Sequence, residues 1–435
     1  IYKSENNRNF NRVTTTQELQ PNATRIDAVE FFQKYYLVDG ENYKIYNPSD
    51  GTVVDWNADE DDIELPGGDG SKGSLGSGEA DGNSRCAIVT SWLGRLVMAG
   101  MASEPQNWFM SEVSDALGWD TTNTTTGAVI GSSTKLGESA DPVTALIPHL
   151  DSNLLIGGTN SLYLLTGDPL WSGTKQHALS RDVGIVGPDA WTYGPDRMLY
   201  FMGEDGMYLL APNEYNVTTA NRLSAGRFDK EFSQIDFNGS NANLVYNQQM
   251  HGVHIFLSPH TNVANRIKHY YYDRRSNSFW TLELPAIIGP TTLFNYQSPD
   301  PTTRNVLLGG FDGHVRTFDS TAKDDDGTAI PSYVWIGPIQ MGDLREIKLT
   351  ELVAILDRES QDVGYEVYVA DSVEEAENST PVYSSTWSNG RNPSQRLRAR
   401  GAAIFLRLYS SEVALPWTLE KITAVIAIAG RVRDR

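Results

Sequence analysis

One pattern recurs along this chain and limits what it can become: a short apolar run, a Gly/Asp/Asn turn, and a second run rich in Tyr, Leu or Phe. It appears first as Tyr35–Gly40 with Tyr43–Tyr46, then as Arg95–Gly100 with Trp108–Met110, and third as Asn153–Gly158 with Leu162–Leu165. The fourth instance is Met198–Gly203 with Met207–Leu210. The fifth pairs Val253–Leu257 with His269–Asp273 across a longer polar loop, and Ser278–Trp280 begins a further strand. The sixth joins Asn305–Gly310 to His314–Phe318. Unit starts lie about 45 to 60 residues apart, near the period of propeller blades once loops are added. Ala87–Thr90 and Val143–Ile147, upstream of their units, are read as innermost strands.

A single small sheet cannot bury both of its faces, whereas sheets packed radially cover one another and leave only short edges. The expectation is therefore an all-β chain with a β-propeller of about six blades; five to seven blades, or two successive β-sandwiches, satisfy the same spacing. Asp59–Gly82, acidic and then Gly/Ser-rich, and Ser114–Asp141, rich in Thr, Gly and Ser, are expected to be long connections. After Lys323–Gly327 the texture changes to alternating or apolar runs at Tyr333–Ile336, Leu349–Leu356, Tyr365–Val369, Ala402–Leu408 and Leu419–Ile428. These predict a C-terminal antiparallel β-sandwich-like domain of five or six strands, with residues 371–377 a short helix or an acidic loop. The division is drawn as a propeller over residues 1–328 and the second domain over 329–435.

The chain has 435 residues, 40% of them hydrophobic, enough for a large core. Cys86 is the only cysteine, so no intrachain disulfide or Cys-based zinc site can form, and folding in a reducing cytoplasm fits. No apolar run approaches the roughly 20 residues that cross a bilayer, and Ile1–Asn11 lacks the apolar core of a signal peptide. With 35 Lys and Arg against 55 Asp and Glu, the formal charge of −20 argues against wrapping nucleic acid through its phosphates, though not against a channel through which DNA slides.

Motifs that carry chemistry are absent. His251 and His254 are three apart, which on a strand points them to opposite faces, and the acidic runs Asp59–Asp62 and Asp324–Asp326 lack the spacing of a calcium loop. No nucleophile elbow, phosphate-binding loop or dinucleotide fingerprint is present. Ser49–Thr52, ending in Trp56, has the flavour of a sialidase Asp-box, but it occurs once and with the wrong spacing. The expectation is a protein without catalytic residues, metal or cofactor. A carbohydrate-active or glycan-binding propeller is the alternative.

The stretch Gln395–Leu408, followed by Trp417–Ile422 and Gly430–Arg433, resembles the end of the tail proteins of short-tailed phages called nozzle, tail tubular or packaged-DNA stabilisation proteins. Tyr271–Trp280 resembles the same family. The resemblance implies a virion structural protein, made in the host cytoplasm. It would form a ring of six subunits below the head-to-tail adaptor, enclose the DNA exit channel, and retain and then release the packaged genome without sequence-specific binding. Its implied partners are further copies of itself, the adaptor, and tail fibre or tail-tip proteins; the family's large platform and fibre-docking insertions are not evident here.

Charge is segregated in a compatible way. Between Gln395 and Arg435 eight Arg or Lys face three Asp or Glu, a surplus of five that leaves −25 for the rest of the chain. Arg396, Arg398, Arg400, Arg431 and Arg433 are therefore the candidate interface with an acidic partner, the alternative being the solvated face of an alternating strand.

Overall fold

In the computed structural model the described residues are 2–4, 10–13, 19, 23, 25–57, 65–67, 85–120, 127–132, 141–171, 173–211, 222–260, 268–285, 288–298, 300, 304–319, 322–341, 345–410 and 416–431. The chain is all-β, with 54% strand and 3% helix. It divides into two compact units, Ile1–Leu282 with Gly289–Thr317, and Glu283–Ile288 with Phe318–Arg435. The changeover thus follows Thr317, and the position expected near residue 328 lies inside the second unit.

The first unit contains successive antiparallel meanders in which each strand pairs with the next in sequence. The first sheet is Asp27–Phe31, Lys34–Val38, Tyr43–Asn47 and Thr52–Asp55; the second is Ile88–Trp92, Arg95–Ala99, Asn107–Met110 and Val129–Ser132. The third is Val143–His149, Asn153–Gly158, Leu162–Thr166 and Lys175–Ser180; the fourth is Trp191–Tyr193, Leu199–Gly203 and Gly206–Leu210. The fifth is Ser240–Asn247, Gly252–Pro259, Lys268–Asp273 and Ser278–Glu283, and the sixth Pro290–Tyr296, Asn305–Gly310 and Val315–Thr317. Every repeat read from the sequence occupies the second and third strands of one of these sheets. A hairpin of Tyr2–Ser4 and Phe10–Arg12 precedes them.

Alternation along a strand sends neighbouring side chains to opposite faces, and here both faces are buried. In the second sheet Val89, Leu96, Met98 and Phe109 join a cluster with Tyr36, Val38, Tyr43 and Ile45 of the first. The intervening Ile88, Val97, Trp108 and Met110 join Val143, Leu154, Ile156 and Tyr163 of the third. Ala145, Ile147, Leu155 and Leu164, on the third sheet's other face, pack with Leu199, Phe201 and Met202 of the fourth and Leu244, Val253 and Ile255 of the fifth. Hydrogen bonds also cross the seam between the fifth and sixth sheets: Asn243 Nδ2 donates to the Thr291 carbonyl (3.4 Å), Ser258 Oγ to that of Pro290 (2.6 Å), and Asn295 Nδ2 to that of Tyr246 (3.4 Å).

One expectation is corrected. Ser114–Asp141 is not a bare connection: Val129–Ser132 within it is the edge strand of the second sheet, and Gly131 provides the space for the Trp108 ring across from it. Asp59–Gly82 lies largely outside the described residues, although Leu65 within it is buried in the core shared by the first two sheets.

The second unit contains two four-stranded sheets. One places Ser332–Ile339, Ile404–Ser410, Val363–Val369 and Tyr383–Trp387 side by side; in the other, Arg345–Leu356 pairs with Gly390–Arg391, Gln395–Gly401 and Leu419–Arg431. Ile347, Leu349, Leu352, Ala354 and Leu356 from one meet Val363, Tyr365, Val367, Leu406 and Leu408 from the other, with Trp387 stacked on Tyr365 at 4.1 Å. The strand count thus exceeds the five or six expected. Tyr383–Trp387 was hidden because Ser and Thr fill its outward positions, while Tyr383 and Trp387 supply the inward ones. Residues 373–378 form the short helix, its first turn capped by the Ser372 hydroxyl, which accepts the Glu375 N–H.

Candidate functional site

The strand Gln395–Gly401 alternates cleanly. Leu397 and Ala399 are buried in the sandwich core, and Arg396, Arg398 and Arg400 are exposed on its outer face. Pairing register brings further cations to that face: Lys348 stands opposite Arg400, while Ile355, turned away from the core, has Arg391 on one side and Lys421 on the other. None of these three was singled out in the sequence, because register between distant strands, rather than local spacing, puts them there. Two carboxylates oppose them. Glu346 accepts from Arg400 at 2.7 Å, which offsets the like charge of Lys348 directly across the ladder, and Glu351 is the cross-strand partner of Arg396 and accepts from Ser394 Oγ at 2.9 Å.

Of the other arginines expected at this interface, Arg431 ends the strand Leu419–Arg431 and pairs through its backbone with Arg345. Arg433 lies outside the described residues. The outer face of the Gln395–Gly401 sheet is thus rich in cations within a chain of charge −20, an arrangement that can hold carboxylates or another anionic surface through the planar, two-point contacts that guanidinium groups form, as Arg400 already does with Glu346.

A second concentration of charge lies in the first unit, where a cavity of about 280 Å³ is lined by Arg25, Ile88, Thr144, Asp189, Asn241 and His260 among others, from the second, third and fifth sheets and the segments that lead into the first and fourth. Arg25 Nε donates to Asp189 Oδ2 at 3.0 Å and its Nη2 lies 3.6 Å from Asp27 Oδ2. Asp27 also accepts the N–H groups of Val89 (3.0 Å) and Ala28 (2.9 Å). Burial pushes the Asp27 carboxyl up to about 6; Arg25 pulls it down, and Asp189 adds to the rise. Arg25 is engaged by both carboxylates, so the group ties sheets together and presents no activated nucleophile.

The histidines considered for metal binding are separated by the fold. His251 sits in a turn with φ of 58°, whereas His254 is buried in the fifth sheet with Asn247 Nδ2 3.4 Å from its Nε2. Burial pushes His254 and His269 down to about 4. Cys86 is buried, and burial pushes its thiol up to about 12. Among the described residues no helix is long and apolar enough to cross a membrane.

No family model matches the chain, and no curated protein is similar to it. Among solved structures, it is similar to the extracellular domain of a putative hybrid two-component system from B. thetaiotaomicron, at 9% identity and a TM-score of 0.41, covering 84% of this chain and 39% of that one. The extracellular domain of a putative one-component system from the same organism gives 11% identity and 0.42, covering 93% and 48%. PorZ, a surface component of the type-IX secretion system of Porphyromonas gingivalis, gives 9% and 0.38, covering 92% and 51%. The chain spans about half the length of these structures or less, and likeness this distant carries no argument about function.

Proposed function

We infer that this chain is a non-enzymatic wall subunit of a short-tailed phage's tail. In this reading the six meanders are blades of one propeller, and the protein forms a ring, of six subunits by the family's pattern, below the head-to-tail adaptor. The ring encloses the DNA exit channel, retains the packaged genome and then lets it pass. It belongs to the virion tail and meets fibre or tip proteins at its far side. The observation that carries the reading is the cation-rich face on Gln395–Gly401, which lies within the segment that resembles the tail proteins. A basic face on an acidic chain suits docking to a like, acidic subunit or to the adaptor, since complementary fields steer encounter and fix register. The acidic remainder suits a wall past which a polyanion slides without sticking. Sheets that bury both faces against their neighbours suit a propeller.

Exposed charge pairs contribute roughly 0 to 1 kcal/mol each, so the test changes the face as a whole. Arg396, Arg398, Arg400, Arg431 and Arg433 replaced together by Gln should leave a folded monomer that no longer enters rings or tails. Normal incorporation by that folded variant would remove the role.

A further inference from the structure

Where the fourth, fifth and sixth sheets come together, two hollows of about 270 and 230 Å³ share Gln248 and Asn295 as a common wall. The first is bounded by Tyr193, Tyr246 and His251, the second by Gln249, Gln297 and Arg304. Unlike the cavity around Arg25, this groove has no carboxylate among the described residues that line it, in a chain with 55 acidic residues. Six of its thirteen lining residues are Asn or Gln, most of them around the second hollow.

The amides are displayed by a braced turn. Asn247 is buried, and its Oδ1 accepts the N–H groups of Gln249 (3.0 Å) and Met250 (3.1 Å), which holds the chain so that Gln248 projects outward. His251 completes the turn in the left-handed region at φ of 58°. Gln249 Nε2 bonds the Arg304 carbonyl at 3.3 Å, tying the turn to the sixth sheet, and Tyr193 Oη donates to the Pro148 carbonyl at 2.7 Å. Such bracing reduces the entropy lost when a ligand is bound.

We propose that this groove binds a neutral, polyhydroxylated chain, an oligosaccharide, and does not cleave it. The side-chain amides of Gln248 and Gln297 each set a donor and an acceptor side by side, matching a pair of hydroxyls that each give and take a hydrogen bond, and Asn295 adds its carbonyl oxygen beside the Nδ2 that bonds the Tyr246 carbonyl. Arg304 is a single cation rather than an array that would hold a charged ligand, and hydrolysis would need two carboxylates flanking the scissile bond, which the described lining lacks. The groove belongs to the first unit and is independent of the cationic face of the second.

The test is calorimetric titration of the full chain with maltohexaose, cellohexaose, laminarihexaose and chitohexaose, followed by chromatography of each sugar for cleavage products. At least one should bind saturably and be recovered intact, and Gln248→Ala with Asn295→Ala, in a variant that melts as the parent does, should weaken that binding at least about tenfold. Absence of saturable binding by all four at about 5 mM, undiminished binding by the double variant, or shortened products would each overturn the proposal. Binding of a sulfated heparin hexasaccharide in place of the neutral sugars would do so as well.

Discussion

The Asp27 carboxylate accepts the backbone N–H of Val89 at 3.0 Å, so a side chain of the first sheet closes a hydrogen bond onto the first strand of the second. Burial holds this group near 6, above the ordinary 3.8, which means that folding favours its protonated form. Its contribution to stability is complete below about pH 4 and is lost as pH rises through 6. Asp27→Asn keeps an oxygen for Val89 and removes the buried charge. At pH 8 it should raise stability by on the order of 1 kcal/mol, a figure discounted because 19% of the side-chain surface remains exposed, and at pH 3.5 it should have little effect. Thermal melts at the two pH values check this.

His254 and His269 act in the opposite sense. Both are buried neutral and held near 4, below the ordinary 6.5, so the stability tied to them is complete above pH 6.5 and is lost as pH falls towards 4. Replacing both by Gln should flatten the fall in melting temperature between pH 6.5 and 4. A melt profile as steep as the parent's would show that other groups govern acid unfolding.

Arg95 is wholly buried. Its Nη1 donates to the carbonyls of Ser111 (2.6 Å) and Gly127 (3.1 Å), and its Nη2 to Asp168 at 3.3 Å, joining the second sheet to the end of the third. Asp168→Asn leaves a buried cation without its counter-charge and should cost about 3 to 5 kcal/mol. Arg95→Lys should not rescue the site, because one ammonium cannot reach all three acceptors in the plane of the guanidinium fork. Urea unfolding of the two variants provides the comparison.

Gly131 pairs with Trp108 across the edge of the second sheet, and a Cβ there would lie 1.8 Å from Trp108 Cζ2. Gly131→Ala must displace the indole from the core it shares with Val97 and Leu154. It should cost about 1 to 3 kcal/mol, whereas Gly173→Ala, with open space at its Cβ, should be near neutral.

How much of this was visible in the sequence follows from where the burial lies. Leu154, Leu155 and Ile156 are all buried because their sheet is covered on both faces, so middle strands read as continuous apolar runs and announced the repeat. Outer strands did not. Lys175–Ser180 has four polar residues among its six because it is an edge strand, and Val129–Ser132 is held by a glycine beneath a tryptophan, a fit that no local pattern reveals. Arg396, Arg398 and Arg400 were legible through alternation, but Lys348, Arg391 and Lys421 reach the same face only through pairing over distances in sequence that local spacing cannot bridge. The amide groove was illegible for the same reason, since Gln248, Asn295 and Tyr193 come from three sheets.

The central claim, a ring-forming wall subunit, is tested most directly by the mass and image of the purified full chain at low salt, where contacts between exposed charges are least screened. Native mass spectrometry with negative-stain microscopy should find closed rings with a central opening, with six copies the number the account predicts. A monomer at every concentration up to about 100 μM, well above the range of ordinary specific association, would contradict the claim.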